Sequence, residues 1–430
     1  MGVTRTLGVG MLGCGTVGAS VARLLHDGAP SIARRTGATL EVRRVGVRDP
    51  GRDRSVPLPP DAFTADLRSV VADPSVDVVL ELLGGIEPAR ALIRAAFDAG
   101  KHVVTANKEL VATHGRELLE AAAAAGVALR FEAAVGGGIP LVHPLRESLA
   151  GDRITRVIGI VNGTTNYVLT RMTEEGLSFD DALTEAQALG FAERDPTDDV
   201  EGHDAAAKCA ILAALAFDVA IAAPDVYREG ITGVRPEDIE FAARLDHVVK
   251  LLAVAELADG EVAARVHPAM LPREHPLASV RDSFNAVFVE GEHAGQLMFF
   301  GRGAGGAPTA TAVVGDLIDV ARDIARGARG PAVVPVADRP IRPIEAMQGQ
   351  YYVCLHVADR PGVLAQVAGA FGSNDVSIKS VWQEGTGEEA LLVLITHRAN
   401  EGDLRRTMDD LRGLDAVTEV RSVMRVEGGE

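Results

Sequence analysis

The sequence predicts a mixed α/β chain built in three successive parts, and three observations carry that expectation. Residues 1–137 alternate short apolar runs with amphipathic stretches, the texture of βαβ units, and open on a glycine-rich turn between a strand and a helix. Residues 138–325 are helix-rich with fewer strand-like runs, and carry a second glycine-rich turn that feeds a helix near 303–325. Residues 326–349 are rich in proline and lack a periodic apolar pattern, which marks a linker, and residues 350–430 then run strand, helix, strand, strand, helix, strand. The expected architecture is an N-terminal Rossmann-type nucleotide-binding domain completed by the 303–325 helix, an α+β middle domain, and a C-terminal βαββαβ domain of ferredoxin-like type.

The elements follow in order. LGVGML (7–12) reads as a strand, GTVGASVARLLHDG (15–28) as a helix and LEVRRVGVRD (40–49) as the second strand. VDVVLELLGG (76–85) is the third strand, 88–100 a helix, KHVVTAN (101–107) the fourth strand and 114–126 another helix, before 127–138 ends in three glycines. In the middle region 153–161 and 285–292 read as strands, and 166–175, 179–189, 204–219 and 235–258 as helices.

Bulk properties narrow the function. The chain has 430 residues, a length that suggests two to four domains, and at 47% hydrophobic and 24% charged its composition is that of a soluble globular protein. Aromatics are only 4% and the formal net charge is −17, which argues against nucleic acid and anionic membrane as partners. Cys14, Cys209 and Cys354 are widely spaced and make no disulfide or zinc pattern. No apolar run is long enough to span a membrane, and the chain starts without a secretory h-region, so a cytoplasmic location is expected. The opening M-G-x-x-x-T formally matches a myristoylation pattern, set against the need to bury Val9 to Leu12 immediately afterwards.

Gly13, Gly15 and Gly18 form G-C-G-T-V-G directly after a strand and opening a helix. In that context the first glycine makes the tight turn, the second lets backbone approach a pyrophosphate, and the third lets helix pack on strand. The second strand ends VGVRDPGRDR, with Arg48 ahead of Asp49 and Arg52 nearby. An arginine there suits the 2′-phosphate of NADP, although NAD stays open.

The stretch from Glu193 to Lys208 gathers Glu193, Asp195, Asp198, Asp199, Glu201 and Asp204 just ahead of one lysine. Asp204 and Lys208 stand i, i+4 on one helix face. A surface ion pair is the simple account. The surrounding alanines and apolar residues instead favour a buried helix, where a lysine beside carboxylates can act as a general acid or base and spare carboxylates can receive a cationic ligand group. His203 within this motif reads as solvent-facing, and Cys209 as core.

Taken together, these strings resemble the homoserine dehydrogenase family over nearly the whole chain. GMLGCGTVG is similar to its cofactor loop (Gly13, Gly15, Thr16, Val17, Gly18), VVTANK to its fourth-strand motif (Thr105, Lys108) and FEAAVGGGIP to its domain crossover. NGTTNYVLTRM, GFAERDPTDDVEGHDAAAK and GAGGAPTA are similar to its later signatures. The resemblance implies NAD(P)H-dependent, reversible reduction of L-aspartate 4-semialdehyde to L-homoserine, on the route to threonine, methionine and isoleucine. It implies that the middle domain is catalytic and dimerising, in a homodimer or homotetramer. It further implies that Glu193, Asp199 and Asp198 hold the substrate ammonium, with Thr164 near the substrate. Lys208 is the proton donor and Asp204 orients it, while Lys108, Gly190, Gly303 and Gly305 lie near the nicotinamide. FEAAVGGGIP corresponds to a monovalent cation site, sodium in the first instance, with Glu132 as a carboxylate ligand and Val135, Gly137 and Ile139 as carbonyl ligands; the residues alone read only as a crossover.

The segment DRPGVLAQVAGAFGSNDVSIKSV resembles an ACT domain, a small-molecule sensing module that pairs side by side. That implies an amino-acid effector, L-threonine, held by amides near Gly362 and by the Asn374 side chain. Two readings from other classes remain: an acylating semialdehyde dehydrogenase, which needs a reactive cysteine beside the nicotinamide, and a catalytically inactive amino-acid sensor.

Overall fold

The structure, a computed structural model, describes residues 5–328, 337, 339–385 and 388–428. The myristoylation pattern at Gly2 and the centre of the expected linker, 329–336, lie outside the described residues.

The N-terminal region forms a six-stranded, wholly parallel sheet in the order Phe63–Thr64, Ala38–Gly46, Arg5–Leu12, Val78–Glu81, His102–Thr105, Leu129–Arg130. This is the doubly wound order, whose ligands bind beyond the carboxyl ends of the strands where the order reverses. Leu7, Val9 and Met11 of its central strand are fully buried, and they share one core with Val313, Leu317 and Val320 of the helix Gly306–Arg326. A helix far along the sequence therefore packs against the first strand.

The second sheet has eleven strands. Its path runs Gly295–Arg302, Phe284–Gly291, Ile154–Ile160, His247–Ala258, Glu261–Pro272, Val417–Val426, Gln348–Ala358, Glu389–Thr396, Ile378–Gly385. The last four are the C-terminal region in the antiparallel order fourth, first, third, second, the βαββαβ arrangement expected. That unit is joined edge to edge with the middle region through Ala269–Arg425 and Met270–Val426. Ion pairs cross the seam: Arg265 bonds Glu427 at 2.8 Å and Arg425 bonds Glu229 at 2.9 Å, while Glu256 and Glu401 brace the two arginines from their own sides at 2.7 and 2.6 Å.

One expected helix is corrected. Residues 235–258 form the helix Pro236–Arg244 and then the strand His247–Ala258, separated at Asp246 with φ 58°. The run VVKLLAVA is buried on both faces of the sheet, and a continuous apolar run of that kind reads equally well as helix or strand. The strands Glu261–Pro272 and Gly295–Arg302 were not anticipated. The first follows Asp259 and Gly260, both at positive φ (55° and 80°), the dipeptide that closes a tight hairpin. Among the described residues no helix is long and apolar enough to cross a membrane.

Candidate active site

Four chain segments meet at one buried carboxylate. The strand Ile154–Ile160 runs out through Val161 to Asn162, which caps the helix Gly163–Glu175 by accepting the Thr165 N–H at 2.8 Å. The short helix Thr197–Val200 brings the acidic loop alongside, and Gly202, at φ 79°, turns the chain into the helix His203–Phe217. From the nucleotide domain, Asn107 caps the helix Lys108–Ala125 and so places Lys108 at the same point.

Asp204 is 6% exposed. One carboxylate oxygen pairs with Lys108; the other accepts from Lys208 Nζ at 2.7 Å and from Asn162 Nδ2 at 2.8 Å. Burial alone would push its carboxyl up, but Lys208 and Lys108 overcome that and hold it well below the usual carboxylate range. Lys108 shows the converse: burial would lower its ammonium, yet Asp204 and Asp199 raise it above the ordinary lysine value. Lys208 Nζ also donates to Val161 O at 2.8 Å, so two of its three N–H groups are committed and one is left to point elsewhere.

The six carboxylates of the acidic stretch divide by task. Asp195 accepts from Thr197, and Glu201 from Thr232, so both shape the loop. Asp199 accepts the second Asn162 N–H at 2.6 Å. Glu193 and Asp198 are exposed, as is His203. The Thr164 hydroxyl donates to Phe191 O at 2.7 Å and fixes the turn at Gly190, which sits at φ 77°. Asn162 escaped the sequence reading, which singled out Thr164 of the same motif.

The glycine loop lies at the carboxyl end of the first strand. Gly13 has φ 102°, and a Cβ on Gly18 would fall 2.6 Å from Gly13 O, so both must be glycine for the helix opened by Thr16 and Val17 to approach the strand. At Gly15 the backbone is open, with nothing within 4 Å. Arg48 is exposed beyond the second strand, and Arg54, another residue the sequence reading passed over, folds back there to bond Asp49 O and Arg52 O. Thr105 points into the sheet edge, donating to the buried Glu81 at 2.6 Å.

The second glycine turn packs against the crossover. A Cβ on Gly303 would lie 1.9 Å from Asn285 Nδ2, one on Gly137 would lie 2.2 Å from Gly303 O, and Gly305, at φ 123°, opens the helix Gly306–Arg326. The Glu132 side chain accepts the amides of Leu141, Val142 and His143 at 2.5, 2.8 and 2.8 Å and so organises the loop that follows it. The carbonyls of Val135, Gly137 and Ile139 accept none of the backbone hydrogen bonds outside helices and strands, which fits a site built from main-chain oxygens. Among the described residues no cluster of three His, Cys, Asp or Glu could hold a metal.

In the C-terminal unit, Gly362 and Asn374 stand at opposite ends of the helix Val363–Ser373. Eleven helical residues separate them by roughly 17 Å, so a single chain does not bring the two together. Asn374 Nδ2 donates to Ala370 O and to Asp410.

All three cysteines are buried, and burial pushes the Cys209 thiol up to about 12 and raises Cys14. Neither is a thiolate poised for attack, which removes the support for an acylating dehydrogenase.

Comparison with known proteins agrees with this geometry. The family model described as homoserine dehydrogenase matches residues 140–318, the homoserine dehydrogenase NAD-binding domain matches 13–132, and the ACT domain matches 352–416. The homoserine dehydrogenase of Mycobacterium tuberculosis is 49% identical over 438 residues, with 99% of each chain covered. The crystal structure of a homoserine dehydrogenase from Thiobacillus denitrificans superposes with a TM-score of 0.94 at 41% identity over 98% of both chains. A hyperthermophilic archaeal homoserine dehydrogenase in complex with NADPH has a TM-score of 0.62 at 27% identity, over 74% of this chain and 98% of its own. With a likeness of that order along its whole length, the chain belongs to the homoserine dehydrogenase family, oxidoreductases with a nucleotide-binding domain, and it carries an ACT domain at its C-terminus.

Proposed function

We propose that the protein reduces L-aspartate 4-semialdehyde reversibly to L-homoserine, in the cytoplasmic synthesis of threonine, methionine and isoleucine. The observation that carries the reading is Asp204, buried and shared by two lysines. A bound nicotinamide supplies the hydride to the aldehyde carbon, or takes it back in the reverse direction. As charge develops on the carbonyl oxygen, the uncommitted N–H of Lys208 donates its proton there, and Asp204 and Val161 O fix where that N–H points. Lys108 contributes a second ammonium at the same carboxylate, so its task is at the proton-transfer centre as well as beside the nicotinamide. Glu193, Asp198 and Asp199 receive the substrate ammonium, and the turn held by Thr164 and Gly190 closes over it.

NADP is favoured over NAD because Arg48 is exposed beyond the second strand, where Arg54 also folds back onto Asp49 O, and because the archaeal relative is in complex with NADPH. Sodium, or another monovalent cation, sits on the carbonyls of the 132–139 crossover; there it would stiffen the junction between domains, not take part in the chemistry. L-threonine acts through the ACT domain. Since Gly362 and Asn374 are apart in one chain, a site that uses both needs two chains side by side, in a homodimer or homotetramer.

The test is the initial rate of NADPH loss with L-aspartate 4-semialdehyde, with NADH for comparison and with and without L-threonine and sodium. Turnover that prefers NADPH and falls with threonine supports the whole reading. Turnover indifferent to threonine removes the effector alone, and no turnover with either cofactor returns the chain to a sensor role.

A further inference from the structure

We propose that Asn162 is a positioning residue of the reaction, whose side-chain amide ties the seat of the substrate ammonium to the proton-transfer centre. The inference rests on the roles given above to Asp199 and Lys208. Asn162 is only 4% exposed and every bonding position of its amide is taken. Its Oδ1 accepts Thr165 N–H at 2.8 Å and the Thr165 hydroxyl at 2.9 Å, while its Nδ2 donates to Asp199 at 2.6 Å and to Asp204 at 2.8 Å.

That pattern admits one orientation. Turned over, the amide would face its oxygen to two carboxylates and its NH2 to the Thr165 N–H, losing three of the four bonds and keeping only one to the Thr165 hydroxyl, which can also accept. Few other side chains serve. Serine caps the helix but has one donor for two carboxylates, and aspartate caps it but sets a third negative charge beside them. The two carboxylates have different work: Asp204 anchors two lysines, and Asp199 faces the acidic loop. In the proposed substrate the ammonium-bearing carbon and the aldehyde carbon are joined through a single methylene. A seat for one end therefore serves only if it stays at a fixed distance from the proton donor at the other. Misplacement of about 1 Å can cost on the order of a hundredfold in rate, and the Asn162 amide is the direct link between the two carboxylates.

The test compares Asn162→Ser with wild type in steady-state reduction of L-aspartate 4-semialdehyde, alone and combined with Asp199→Asn. Losing charge-assisted bonds should lower kcat/KM by about 10- to 100-fold, with both kcat and KM affected and the NADPH Kd within about twofold of wild type. In the Asp199→Asn background the effect on KM should shrink to less than about threefold, because the linked partner is already gone. Kinetics within about twofold of wild type, equal effects in both backgrounds, or a matching loss of NADPH affinity would each overturn the proposal. Should the serine variant fail to fold, Asn162→Asp keeps the cap. Its relative activity should recover as pH falls, because the protonated carboxyl regains one donor, whereas a pH profile parallel to wild type would sink the idea. If wild-type enzyme does not turn over the aldehyde, the assigned reaction fails first; an active wild type with unaffected variants defeats only the role of Asn162.

Discussion

Asp204→Asn is the sharpest perturbation the structure offers, because it removes one charge and almost no volume. Lys208 Nζ lies 2.7 Å from the carboxylate, and Lys108 pairs with its other oxygen. At an effective dielectric constant of about 20, a unit pair that close attracts by about 6 kcal/mol, from which desolvation of the buried ions takes several kcal/mol back. Removing one partner of such a buried pair typically costs ~3–5 kcal/mol, since the remaining charge stays buried without compensation. Here two ammonium groups would be left facing each other. Geometry adds to the cost. A carboxamide has one oxygen, so its NH2 must point at Lys108 on one side or at Lys208 and Asn162 on the other, donor against donor.

If only half of that loss is felt at the transition state, about 2 kcal/mol, the rate falls about thirtyfold; complete loss of an oriented proton donor reaches 10²–10⁴, roughly. The expected result is a drop in kcat for aldehyde reduction of about 10²–10³, with NADPH affinity within about threefold of wild type. Steady-state kinetics by NADPH absorbance, with cofactor Kd measured separately by fluorescence, make the comparison. A variant that keeps kcat within about fivefold of wild type would refute the reasoning, because no proton donor that depends on this carboxylate could survive its neutralisation.

Other outcomes follow from other parts of the molecule. Lys250 is buried with only neutral partners, Asn166 Oδ1 at 3.0 Å and Val280 O at 2.6 Å, and burial pushes its ammonium from 10.5 down to about 8. Between those two values the unfolded chain binds more protons, so stability should rise with pH by up to about 3 kcal/mol relative to Lys250→Met; a pH-independent difference in urea midpoints would contradict this. At the ACT seam, Glu427→Ala leaves the buried Arg265 short of a partner and should cost ~3–5 kcal/mol in urea unfolding, and a loss below about 1 kcal/mol would show that the seam is not a buried ionic lock. Glu132→Gln offers one oxygen to three amides and should raise the sodium concentration for half-maximal rate by at least about tenfold; an unchanged sodium titration would detach Glu132 from the cation loop.

What was legible in the sequence was what depends on local pattern. The glycine loop, the alternating units around it and the βαββαβ ending declare themselves through turn chemistry and periodicity, and all three elements of the fold class are found. The strand His247–Ala258 was misread because burial on both faces erases the alternation that marks a strand. Its hairpin partner was signalled by Asp259–Gly260, and that dipeptide was overlooked. At the site, the pair Asp204–Lys208 is visible because four residues make one helical turn. Lys108 stands 96 residues from Asp204, and Asn162 stands 42 residues from it. No spacing rule reaches that far. An asparagine before a helix announces a cap; that its other two hydrogens bind carboxylates is settled only by the packing. Glu132 was singled out by resemblance alone, and the three amides its carboxylate gathers come from residues 141–143, a clustering that residue type does not announce.

The candidate centre is therefore a property of the junction between domains. Asp204, Lys208 and Asn162 stand on the middle domain, and Lys108 comes from the first turn of a nucleotide-domain helix, so the ion pair forms only when the two domains hold one relative position. The chain crosses between them at 131–139 and again at 301–306, where a Gly137 Cβ would meet Gly303 O and Gly138 N–H bonds Arg302 O at 3.1 Å. Asp316, on the returning helix, accepts the Glu132 N–H at 2.8 Å and pins the first crossing to the second. A side chain at either glycine would push these crossings apart by the width of a methyl group. Lys108 would then leave Asp204 with no change to any residue that touches substrate. The glycines of the crossover would thus bear on the proposed proton transfer by setting a distance, and the proposed cation, lodged on carbonyls of the same turn, would act in the same way.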